Sequence, residues 1–185
     1  MFCWLVLDNP DLERRVPPAL ARALEGRLFP GARPWLRISP ALPPEELCAE
    51  ARGLPWLRLL SLASDDPRGR LLAEPLEHWE AEAASPALSR ALGGHVSLGH
   101  LDSPPLAWAA SWKQGRLVRA LRRERGAVER YPGVRSKDPV EGREDVLRIG
   151  LEWALGDRLY LSPSEALLLP ERLEAWLDRG QQVTL

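Results

Sequence analysis

Three histidines, a run of arginines and eight tryptophans are the residues of this 185-residue chain whose types and spacing could support chemistry. His100 and Asp102 share a face of a β-strand, and a carboxylate beside an imidazole can orient a general base. His95 stands five residues before His100, which sets the two rings on opposite faces of one regular strand. A catalytic group or shared metal built from His95, His100 and Asp102 therefore requires a bulge, and no nucleophile is placed beside them. The competing reading is a polar strand end at a turn. His78 lies four residues after Glu74 and four before Glu82, a spacing that could gather a divalent-metal set on one helix face. Glu74 precedes Pro75 and so falls outside that helix, which favours a solvated acidic face instead. Neither Cys3 nor Cys48 has a partner at zinc-ligand spacing, and both read as small buried hydrophobes. No metal and no cofactor is expected.

The familiar catalytic cradles are missing from the sequence. It contains no GxxxxGKS/T phosphate loop, no GxGxxG turn, no HExxH helix and no GxSxG elbow. The sequence thus leans away from an enzyme, and an unrecognised one would have to use His95, His100 and Asp102.

Charge is the more informative pattern. Lys113 to Lys137 carries nine basic and two acidic side chains, a local charge of +7, against −8 for the remainder of a chain whose net charge is −1. Arginine outnumbers lysine 23 to 2. The leading expectation is a non-enzymatic macromolecular-interaction module. Its contact surface would be Arg116, Arg119, Arg122, Arg123 and Arg125, with Trp108 and Trp112 as aromatic anchors where the sheet leaves a face open, although core packing is the favoured reading of that pair. A protein partner is favoured. Nucleic acid is the alternative reading of the same stripe, but a pI of about 6.3 is low for such modules and no stacking or recognition motif accompanies it. The further alternative is a solvated face whose arginines pair with the acidic segments at 43 to 50 and 74 to 82.

The elements that must hold these residues follow from periodicity and punctuation. Residues 2 to 7 are an uninterrupted apolar run, as in a strand buried on both faces. After Asn9-Pro10-Asp11, Pro17-Pro18 opens a helix with Leu20, Leu24 and Leu28 on one side. Pro34-Trp35-Leu36-Arg37-Ile38 recurs almost unchanged as Pro55-Trp56-Leu57-Arg58-Leu59, and Pro43-Pro44 opens a helix between the copies. Leu54 to Leu62 resembles one strand of a leucine-rich repeat, but no third copy exists to build a stack. Tandem strand-helix units over about 1 to 92, forming a small partly parallel sheet, are therefore expected.

Residues 75 to 92 read as helix in two pieces divided at Ser85-Pro86, and Gly93-Gly94 ends them. A hairpin region follows over about 94 to 124, with a turn at Lys113-Gln114-Gly115 and 116 to 123 read as strand rather than helix. Residues 126 to 142 read as an exposed loop. The C-terminal helices span about 143 to 180: one over 143 to 155, a capping box at Ser162-Pro163-Ser164-Glu165, and a last helix from Pro170 to Gly180. Trp56, Trp153 and Trp176 sit in apolar registers and read as core. The fold class expected is α+β in one globular domain. No apolar run approaches the length of a membrane span, no secretory signal is evident, and a cytoplasmic location with no membrane partner is expected. The leucine, arginine and proline excess suits a GC-rich genome and is also what heat-adapted proteins show.

Overall fold

The computed structural model of the chain describes residues 2–28, 33–65, 78–100, 106–131, 140–156 and 159–185. One eight-stranded sheet runs through them: β1 (Phe2–Leu7), β2 (Arg33–Ile38), β3 (Leu57–Asp65), β4 (His95–His100), β5 (Leu106–Lys113), β6 (Arg116–Glu124), β7 (Ala127–Arg130) and β8 (Gln181–Thr184). The spatial order is β7-β6-β5-β4-β1-β3-β2-β8, and every neighbouring pair is antiparallel. Two helices cover each face. α1 (Leu12–Leu24) and α2 (His78–Leu92) pack with Trp4, Val6, Leu36, Leu60 and Trp108, while α3 (Arg143–Leu155) and α4 (Pro163–Asp178) pack with Leu5, Leu59, Leu98, Ala109 and Leu121.

The expected partly parallel sheet is corrected by this register. β1 and β2 both pair antiparallel with β3, so they do run parallel to each other, but β3 lies between them. The helix α1 thus crosses over one strand position and creates no parallel neighbours. An uninterrupted apolar strand signals burial on both faces, and burial on both faces is most common in parallel sheets. Here helices cover both faces of an antiparallel sheet, so the same run of residues appears without the parallel pairing. The two Pro-Trp-Leu-Arg segments are likewise not successive parallel units. The first lies in β2 and the second runs into β3, and these strands pair directly with Leu36 opposite Leu62 and Ile38 opposite Leu60.

Several boundaries also move. The segment between those copies is a short 3-10 turn at Pro44–Glu46 rather than a helix, with Leu42, Leu47, Cys48, Ala51 and Leu54 buried as an irregular cover on the α3/α4 face. α1 starts at Leu12 and holds Pro17 and Pro18 inside it. α2 and α4 are each continuous through Pro86 and Pro170. β7 forms where an exposed loop was expected, and β8 was not anticipated. Segment 116 to 123 is the strand expected, and α3 and the Ser162 capping box stand where the spacing placed them. Trp153 and Trp176 are core residues, whereas Trp56 is 52% exposed just before β3.

Candidate functional site

The basic surface is built on the β5–β6–β7 end of the sheet. Gln114 and Gly115 join β5 to β6 with φ of 51° and 81°, the paired positive values of a tight hairpin turn that matches strand twist. The Gly115 N–H donates to Ser89 Oγ on α2 at 3.1 Å, which anchors the hairpin tip. Between Ser111 and Trp112 the pairing slips, and Val118 is the extra residue on β6, a bulge that re-aims its neighbours. Strand alternation then sorts the charges. Lys113, Arg116, Arg119, Arg123 and Arg130 share the face on which Ala109 and Leu121 meet α3. Arg122 lies on the other face, paired with Glu124 at 2.6 Å and opposite Glu129.

These cations differ in what is left to meet a partner. Lys113, Arg116, Arg125 and Arg130 are exposed, while Arg119, Arg122 and Arg123 are half-buried. Arg119 lies over the Trp153 ring at 5.0 Å and donates to the Trp153 carbonyl at 3.2 Å. The Nε atoms of Arg122 and Arg123 are buried without an acceptor. Beside the basic residues, Leu117 and Val118 are half-exposed and Tyr131 is 42% exposed.

Trp108 and Trp112 are buried, at 2% and 5% exposure, and tilt against each other with ring centroids 5.4 Å apart. They belong to the core under α1 and α2, and only border a groove of about 290 Å³ that Leu117, Ala120 and Tyr131 line with them. His95 stacks on Trp112 at 5.6 Å with the planes 10° apart. Both of its ring nitrogens are buried without a hydrogen-bond partner, and desolvation lowers its pKa to about 3. The imidazole is therefore neutral at ordinary pH.

β4 is regular between His95 and His100, so their backbones stand roughly 16 Å apart along the strand. The structure does not bring the two histidines together. Asp102, Glu74 and the side chains of His78 and His100 lie outside the described residues. Among the described residues no group of His, Cys, Asp and Glu is arranged to hold a metal. Cys3 and Cys48 are free and buried, and burial pushes the Cys3 thiol up to about 12, which removes its nucleophilic form.

A second concavity, of about 500 Å³, opens at one end of the sheet. The Asp8-Asn9 turn, the Gly93-Gly94 junction between α2 and β4, the ends of β5 and β6, and Trp153 on α3 all border it, with His95 among its walls. Sequence reasoning did not find this cleft, because its residues come from five separate stretches with no common spacing. The Gly93-Gly94-His95 run was the one local mark of it.

No family model matches the sequence, and no significant match is found among curated proteins or solved structures. Among the described residues no helix is long and apolar enough to cross a membrane.

Proposed function

We propose that this chain is a macromolecular-interaction module that takes an acidic segment of a partner protein on the β5–β7 end of its sheet. The observation that carries the reading is the sorting of Lys113, Arg116, Arg119, Arg123 and Arg130 onto one face. Arginine is enriched among interface hot spots, and a +7 segment in a molecule of net charge −1 orients an acidic partner before contact. A hairpin tied to α2 offers that surface already ordered, which lowers the entropic cost of binding.

The test uses polyglutamate as the acidic polypeptide and duplex DNA as the competing polyanion. Arg116→Glu with Arg125→Asp reverses two exposed charges; aspartate is chosen at 125 because that residue has a φ of 48°, which Asp tolerates. Saturable polyglutamate binding that weakens about tenfold or more in the double variant, with folding unchanged, is the expected result. Tighter binding to DNA with a steep loss in salt would transfer the surface to nucleic acid. Binding to neither would end the reading.

A further inference from the structure

The two edges of the sheet are finished differently. β7 carries Glu129 and Arg130 and pairs with a strand kinked by a bulge, and charge and bulges are devices that keep an edge from taking up another strand. β8 has neither. Gln181, Gln182, Val183 and Thr184 bear no charge, no proline interrupts them, and their pairing with β2 is regular. Gln181, Gln182 and Thr184 are exposed.

Hydrogen-bond alternation fixes which backbone groups of this edge are open. The Leu185 N–H donates to the Pro34 carbonyl at 3.0 Å, and on the other side of β2 the Ser39 N–H donates to the Leu59 carbonyl at 3.0 Å. Antiparallel bonding alternates along a strand, so Gln181 and Val183 bond to β2 as Leu185 does, while Gln182 and Thr184 turn their N–H and C=O groups away from it. Among the described residues nothing pairs with those four groups.

Two outward residues spaced evenly about one inward residue are self-complementary. A second β8, turned about a two-fold axis at Val183, sets its Thr184 opposite Gln182 and its Gln182 opposite Thr184. Four backbone hydrogen bonds then use every open group of both strands. The two Val183 side chains meet on the axis as a non-hydrogen-bonded pair, where side chains approach most closely. Val183 lies opposite Leu36 and packs against the core under α1 and α2, so that apolar layer continues across the junction. No charge of β8 is brought against its like, because the strand has none.

We propose that this chain forms a two-fold dimer through β8, joining two sheets edge to edge in the antiparallel register centred on Val183. The junction is small, so the affinity expected is micromolar rather than tighter. The β5–β7 surface lies at the opposite end of the sheet and stays open in each copy.

The test is sedimentation of the full chain over a range of concentrations, together with cross-linking. A monomer–dimer equilibrium is expected. Thr184→Pro is expected to weaken it about tenfold or more, because proline deletes one outward N–H in each copy and leaves the bonds to β2 intact. Val183→Cys is expected to give a disulfide-linked dimer on mild oxidation, since paired Cβ atoms at the axis lie within disulfide reach, whereas Gln182→Cys stands two residues out of register with its own copy and does not link. Cys3 and Cys48 are buried and supply no competing link. A chain that stays monomeric, a dimer as strong in Thr184→Pro as in the parent, or one that does not link through Val183→Cys overturns the proposal. The cross-link keeps the test decisive even if Thr184→Pro displaces β8. Polyglutamate binding is expected unchanged in Thr184→Pro, so this proposal and the reading of the basic surface fail separately.

Discussion

His95 shows how a residue picked out for its chemistry can be governed by its surroundings. Burial lowers its pKa from 6.5 to about 3, so the folded chain refuses a proton that the unfolded chain accepts between those values. More protons bind to the unfolded state there, and stability must fall as the pH drops below about 6.5, by about 1 kcal/mol per pH unit. Urea denaturation between pH 7 and pH 5 is expected to show this slope, and His95→Phe to flatten it while matching or exceeding the parent in stability. An equal slope in both proteins would mean that the imidazole is solvated. The window lies above the range of Glu45 and Glu165, whose carboxyls are held below the ordinary value of 4.5 by backbone and Ser162 hydrogen bonds respectively. The strand alternation that separates His95 from His100 was legible in the sequence. That Trp112 would close over His95 was not, because it depends on the β4–β5 register, which the residue spacing alone does not fix.

Elements defined by local chemistry were the legible ones. Gln114-Gly115 supplies the two positive φ values that a tight hairpin demands, and Ser162 with Glu165 forms a reciprocal cap in which the Ser162 N–H donates to Glu165 Oε2 at 2.8 Å. Ser162→Ala is expected to cost about 1 kcal/mol in chemical denaturation, the usual loss of an N-cap. Elements that exist only by docking were not legible. β8 is polar and four residues long, and it is held by pairing with β2. It leaves α4 through Gly180, where a side chain would be driven into the Ile38 carbonyl. Gly180→Ala is therefore expected to displace β8 and destabilise the fold by about 2 kcal/mol or more, with amide protection lost first at Gln181–Thr184. Protection retained along β8 would show that this close approach is not what seats the strand. The prolines misled for a related reason. Pro17, Pro86 and Pro170 look like helix starts, yet each stands inside a helix that packing holds continuous.

On the scale of the whole molecule, two helix pairs bury the middle of an eight-stranded antiparallel sheet, and the β6–β7 end projects its charges beside them. Charge asymmetry was legible by counting residues. The sorting of that charge was not, since it needed the β5–β6 register and the bulge at Val118 to be known. Sorting also changes which arginines can be tested. Arg119 and Arg122 hold structural contacts, so their reversal confounds binding with stability, whereas Arg116 and Arg125 are exposed. The most direct measurement is a backbone amide NMR titration of the full chain with polyglutamate at moderate salt. Shifts confined to Lys113–Tyr131 and absent in the Arg116→Glu, Arg125→Asp variant are the predicted result. Shifts scattered over the sheet's other end, or persisting unchanged in that variant, would contradict the assignment of this surface.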